Sequence, residues 1–343
     1  MLSTSLPTMG TFRGRRLRGY ISCVALLLLQ GCGSDPIQHR GPPPVTSGYF
    51  TMQDGTTLPY RVWSPAKSPS AVILALHGMN DSRDAWEYPA SAFTAAGMAV
   101  YSPDQRGFGA TSTRGLWPGT QTLVSDARAE ANDLHALYPH VPLYLMAESM
   151  GAAVLMVLAA EPDPPPTAGY ILIAPAVWAR SEMSFPTRAL LWLVDELLPG
   201  LRLTGRGFVK VTASDNRDAL IRLSTDPLTI QATRVDAIKG LVDLMDRAAA
   251  AASHVTAPTL ILYGGRDELI PPEATAATWR ALPPTAVRAF YPNDYHLLLR
   301  DNNRAEPIGD VLSWIRNQHI PLPSGADKAA STWLEQQDAA AAK

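Results

Sequence analysis

The sequence predicts an α/β fold: a mostly parallel central sheet flanked by helices, interrupted by one helical insertion. Three observations predict it. Five runs, AVILALHG (71–78), MAVYSPD (98–104), VPLYLMA (141–147), GYILIAP (169–175) and TLILYGG (259–265), are nearly unbroken apolar, as expected of strands covered on both faces. Helical patterns lie between these runs, and repeated strand–helix alternation is the signature of a doubly wound sheet. The composition, 46% hydrophobic against 17% charged over 343 residues, supplies a large core and excludes a disordered chain. A net charge of −2 gives no global attraction to nucleic acid.

Taken from the N-terminus, the first element is a leader rather than part of the fold. Arg13, Arg15, Arg16 and Arg18 precede the apolar stretch YISCVALLLLQ. That stretch is far short of the roughly 20 residues that span a bilayer, and it has the proportions of a secretory leader. Leu29-Gln30-Gly31-Cys32 then resembles the lipobox of bacterial lipoprotein signal peptides. The resemblance implies that residues 1–31 are removed and that the Cys32 thiol takes a diacylglyceryl group. Gly33, in place of Asp, implies delivery to the outer membrane. An ordinary signal peptide that leaves Cys32 as a free thiol is the simpler alternative. Cys23 leaves with the leader, so no disulfide framework is expected and stability rests on the core. Residues 32–47, with GPPPVTSG, read as a tether.

The sheet pattern occupies residues 48–177 and 241–322. Within it, residues 120–138 place Leu123, Ala127, Leu134 and Tyr138 on one helical face and Asp126, Arg128, Glu130 and Asp133 on the other. Residues 178–240 contain no convincing strand and carry the amphipathic run RALLWLVDELLPG, so they read as a helical cap inserted between two strands. Leu190, Leu191, Trp192, Leu193 and Leu197 are either core, or a wall for an acyl chain or membrane surface. Beyond Pro323 the tail is expected to be a peripheral helix or disordered.

The chemistry centres on Ala147-Glu148-Ser149-Met150-Gly151, between the apolar VPLYL and the apolar VLMVLAA. A serine at a strand–turn–helix junction, with small flanking residues, fits a nucleophile elbow. A serine confined to a tight turn is the plainer reading. A nucleophilic serine needs a base, an orienting acid and an oxyanion hole. Asp267, at the end of TLILYGGR, and His296, after AVRAFYPNDY, follow in chain order. Glu268, Asp243 and Asp294 are rival acids. Of the other histidines, His39 lies in the tether, His135, His140, His254 and His319 on helices or linkers, and His77 in a turn it can brace. His77-Gly78-Met79-Asn80 follows an early strand, so the Met79 and Met150 amides are the candidate oxyanion donors. Glu148 is either a group at the pocket rim or half of a salt bridge, and Asp104 with Arg106 reads as a structural ion pair. Neither a metal-ligand cluster nor a phosphate-binding or nucleotide fingerprint is present, so no cofactor is expected.

These segments together resemble the α/β-hydrolase superfamily, and within it the monoacylglycerol lipase and lysophospholipase branch. HGMN, DQRGFGATS, AESMGA, STDPL, GGRDELIPPEAT and YHLLLRD match in order and spacing across about residues 45–320. Ala147 and Asn80 depart from the pattern, at turns. The resemblance implies an α/β-hydrolase fold and a serine hydrolase of single-chain lipid esters, with Ser149, Asp267 and His296 as its triad. A short-chain esterase or serine peptidase would share that triad. A non-catalytic envelope lipoprotein would keep the fold without the reaction.

Overall fold

The computed structural model describes residues 45–204 and 211–342; the leader, Cys32 and most of the tether lie outside the described residues. The described chain opens with an antiparallel pair, β1 (Val45–Thr51) and β2 (Thr57–Trp63). Strand β1 takes in the last residues assigned to the tether, because Val45 pairs with Trp63. There follow β3 (Ala71–Leu76), α1 (Glu87–Ala95), β4 (Met98–Pro103), α2 (Thr120–Leu137), β5 (Leu143–Glu148), α3 (Met150–Ala159) and β6 (Gly169–Ile173). The cap region holds α4 (Phe185–Leu197), β7 (Arg202–Leu203), α5 (Arg217–Thr225) and β8 (Thr233–Arg234). The chain then runs through α6 (Val235–Ala251), β9 (Thr259–Gly264), α7 (Pro272–Ala281), β10 (Val287–Tyr291), α8 (Ala305–Arg316) and α9 (Ala326–Ala341).

One sheet in the order β1-β2-β4-β3-β5-β6-β9-β10 organises the molecule. It is parallel from β4 to β10, while β2 pairs antiparallel with both β1 and β4, so in this sheet β2 alone runs against the rest. The unbroken apolar runs have a direct cause. In β3, Val72, Leu74 and Leu76 face one buried cluster, with Leu155 of α3 and Trp279 of α7, while Ala71, Ile73 and Ala75 face another, with Phe93 of α1 and Trp314 of α8. Both faces are roofed by helices, so no position calls for a polar residue. Because these strands are parallel, the C-terminal ends of β3, β5, β9 and β10 share one edge, where ligands bind in open α/β sheets.

Three local expectations are corrected. On α2, Asp126 and Glu130 do not face solvent; they are 6% and 1% exposed. Arg106 reaches from the loop after β4 to take Asp126 in two hydrogen bonds, and burial pushes the Glu130 carboxyl well up. Second, the cap does contain strands. β7 and β8 form a two-residue antiparallel ribbon, too short to leave a periodic signal. Third, Asp104 and Arg106 are not partners. Asp104 takes Arg83, and Arg106 takes Asp54 and Asp126. The tail is helical: α9 lays Trp333 flat on Phe290 of β10, ring centroids 5.0 Å apart.

Helix α3 is buried at every position, and Gly151 lets it approach β3. A Cβ there would stand 2.7 Å from the His77 carbonyl oxygen and 2.8 Å from that of Leu76. Both obstacles are backbone. Gly151→Ala is expected to destabilise the fold by about 1–3 kcal/mol through overpacking, read as a lower urea midpoint; an unchanged midpoint would mean that α3 can lift freely from the sheet.

Candidate active site

Ser149 occupies the single residue between β5 and α3, at φ 53° and ψ −115°. For a residue with a Cβ this conformation costs about 1–3 kcal/mol and persists only where the surroundings impose it. The impositions are visible. Its N–H donates to the Ile173 carbonyl of β6 at 2.9 Å, and its own carbonyl accepts from the amides of Ala176 at 3.0 Å and Ala153 at 3.1 Å. Gly78 makes room across the edge, since a Cβ there would lie 3.3 Å from the Ser149 Cβ. Ala147 is fully buried within β5 and has no positive φ, so alanine replaces glycine there without backbone strain. The Ser149 side chain is left half-buried at the edge of the sheet.

Asp267 and His296 meet. Asp267 lies in the turn after β9, and its Oδ1 accepts from the amides of Leu269 at 2.7 Å and Ile270 at 3.0 Å. That fixes the carboxylate so that Oδ2 accepts from Nδ1 of His296 at 2.7 Å. Both side chains are almost wholly buried. With Nδ1 committed to the carboxylate, Nε2 remains the nitrogen able to take a proton. The rival acids turn elsewhere: Glu268 accepts from the Thr212 amide, Asp243 pairs with Arg180 and Lys239, and the Asp294 carboxylate faces Asn303.

The candidate oxyanion donors come from two directions. Met150 is the first residue of α3, where an amide has no intrahelical acceptor and the helix dipole favours negative charge. Met79 lies in the turn after β3. His77 braces that turn: its Nδ1 donates to the Gly78 carbonyl at 2.7 Å and its Nε2 accepts from the Gln105 amide at 3.0 Å. Asn80 adopts φ 65°, which asparagine tolerates better than most residues. Its carbonyl accepts from the Ile230 amide at 2.8 Å and its Nδ2 donates to the Thr233 hydroxyl at 2.7 Å. The departure at residue 80 therefore ties this turn to the cap.

Two residues of the site were not singled out in the sequence, Asp81 and Arg300. The Arg300 guanidinium, buried below His296, donates from Nη2 to Asp81 Oδ2 at 2.7 Å and to Glu148 Oε1 at 2.6 Å. Glu148 is thus half of a buried salt bridge, the second of its two readings. The available signal was positional: Arg300 lies four residues after His296, and Glu148 next to Ser149.

The family described as "Serine aminopeptidase, S33" matches residues 67–303. The chain belongs to that family. Among relatives of this S33-family chain, the monoacylglycerol lipase of Mycolicibacterium smegmatis is 27% identical over 276 residues, covering 78% of this chain and 95% of that one. The monoglyceride lipase of Rattus norvegicus is 29% identical over 257 residues, covering 74% and 84%. A soluble variant of the Saccharomyces cerevisiae monoglyceride lipase, solved with a substrate analogue, superposes with a TM-score of 0.67 at 19% identity, over 82% of this chain and 97% of that one. The fold of this S33-family chain is the α/β-hydrolase fold.

Proton transfer at this edge should follow His296. Burial lowers the basicity of its ring, but the charge and hydrogen bond of Asp267, with the charge of Glu148, outweigh burial and raise it above the ordinary 6.5. Only the neutral ring can accept a proton, so labelling of Ser149 by a fluorophosphonate is expected to fade as pH falls through a midpoint above 6.5. For stability the sign is opposite. The protonated, paired ring contributes fully below 6.5, and that contribution is lost as pH rises through the folded-state value. Asp267→Asn should pull the labelling midpoint down and slow labelling by up to about 10⁴-fold; a wild-type rate and midpoint would remove Asp267 from the site.

Proposed function

We propose that the chain is a serine ester hydrolase that cleaves lipid esters with a single acyl chain, monoacylglycerol or lysophospholipid, through an acyl-enzyme. The observation that carries the reading is the strained Ser149 at the same sheet edge as the buried Asp267–His296 pair. Ser149 Oγ attacks the ester carbonyl carbon while His296 Nε2 takes its proton. The Met79 and Met150 amides hold the oxyanion, each such donor being worth a few kcal/mol of barrier. His296 returns the proton to the departing alcohol, and water releases the fatty acid by the same route. The carboxylate of Asp267 keeps the ring in the working tautomer and stabilises the imidazolium.

Substrate class is supported by the lipases among the relatives and by the outer face of α4. There Phe185, Leu190, Trp192 and Leu197 are all more than half exposed, an apolar surface of a kind that marks interaction sites. Among the described residues no helix is long and apolar enough to cross a membrane. We place the enzyme in the bacterial cell envelope, held at the outer membrane by lipid on Cys32; this rests on the basic, apolar and lipobox-like order of residues 13–32.

The test measures fatty acid released from monoacylglycerol and lysophospholipid, beside short-chain esters and aminoacyl anilides. Ser149→Ala should abolish release, a loss of at least about 10³-fold, with the fold retained. Equal turnover by the variant would exclude this nucleophile, and cleavage of anilides alone would establish the peptidase reading. Cys32→Ser is expected to move the protein from the membrane to the soluble fraction without changing turnover; unchanged partitioning would overturn the anchor.

A further inference from the structure

The loops that carry the reacting groups share one buried cation. Asp81 follows the Met79 turn after β3, Glu148 ends β5 beside Ser149, and Arg300 closes a short turn, Leu298–Arg300, on the His296 loop. The side chains of all three are under 10% exposed, and one nitrogen of Arg300 bonds both carboxylates. The Arg300 carbonyl in turn accepts from Asn216 Nδ2 of the cap at 2.8 Å. Burial lowers the Arg300 basicity but the two carboxylates more than restore it, so the guanidinium stays charged.

Stability gives no sufficient reason for this arrangement. Desolvation of buried ions offsets most of their attraction, and apolar replacements are often neutral or better. Here the charges do not even balance, since two carboxylates face one guanidinium. His296 sits on the same loop as Arg300: Nδ1 of its ring bonds Asp267 from the turn after β9, and Arg300, four residues on, ties Glu148 at the end of β5 to that loop. Burial and the charge of Arg300 lower the basicity of the ring, and the charges of Asp267 and Glu148 raise it. Asp301 on that loop turns instead to Ser214 and the Tyr295 amide, and Asp294 to Asn303.

We propose that Glu148 is a positioning residue for His296: fixed by Arg300 and Asp81, its charge favours the imidazolium that forms as Ser149 gives up its proton, while the shared guanidinium holds the three loops in register. The inference deepens the hydrolase reading and rests on it. Glu148 need not touch substrate. It acts through the base, in addition to Asp267.

Glu148→Gln is the decisive variant. It keeps an oxygen for Arg300, removes the charge, and leaves Arg300–Asp81 as a balanced pair. The NMR titration of the His296 ring, which needs no turnover, should move to lower pH by on the order of one unit. The acid limb of kcat/KM should move with it, and the plateau kcat should fall about tenfold, with KM little changed. Glu148→Asp, which keeps the charge, should titrate near the wild type even where it is less stable. Should Glu148→Gln fail to fold, Glu148→Met provides the same loss of charge. A lower melting temperature with an unmoved His296 titration would reduce the cluster to a plain structural bridge and overturn the proposal. A wild type that hydrolyses no ester and resists fluorophosphonate would instead sink the hydrolase reading, with the titration still deciding the role of the Glu148 charge.

Discussion

The reacting edge depends on holding Ser149 in a backbone conformation that a free serine avoids. Its strain of about 1–3 kcal/mol is matched by the hydrogen bonds that Ile173, Ala153 and Ala176 make to its backbone, each worth about 1 kcal/mol net. Those bonds are possible only because β5 lies between β3 and β6, with α3 pressed directly onto the sheet. The consequence is chemical. The strand delivers the serine at the edge and the helix begins at the next residue, so a free helix N-terminal amide, that of Met150, follows the serine directly. Sheet order, the glycines at 78 and 151, and the strained serine are one device.

The central strands were legible because burial on both faces leaves no ambiguity of pattern: VILAL can only belong inside. The candidate triad positions, Ser149, Asp267 and His296, were legible because each ends or follows a strand. Other features depend on partners that local sequence does not reveal. Asp126 and Glu130 fall on what looks like a solvated face of α2, yet Arg106, twenty residues before Asp126, folds back over that face. Glu148 looked ambiguous for the same reason, since its partner is 152 residues away. The β7–β8 ribbon left no trace, as two residues carry no period. The tail reads as polar and alanine-rich, but a single aromatic, Trp333, docks α9 against Phe290 and Trp279. In each case a long-range contact decided what propensity left open.

The cap is not simply laid over this edge. Asn80 joins it to the oxyanion turn, Thr212 donates to Glu268 beside the acid, and Ala213, Ser214 and Asn216 bond the His296 loop at Leu297, Asp301 and Arg300. The same insertion that carries the exposed apolar residues of α4 is therefore bonded to the loops bearing the candidate acid, base and oxyanion donor, at Glu268, residues 297–301 and Asn80.

Charge placement explains why that wiring includes an arginine. A carboxylate beside a nucleophile helps a neighbouring imidazolium and harms a neighbouring oxyanion; burial pushes the Glu148 carboxyl up, and Arg300 works against that rise. Oε1 of Glu148 also stands 3.6 Å from where a Gly78 side chain would begin, so it borders the turn of the candidate donor Met79. Arg300 answers this from one position: Nη2 bonds Glu148 Oε1 and Asp81 Oδ2 together, and its charge opposes the rise that burial imposes on the Glu148 carboxyl. The loop that bears His296 thereby supplies the cation that pairs with the carboxylate next to Ser149.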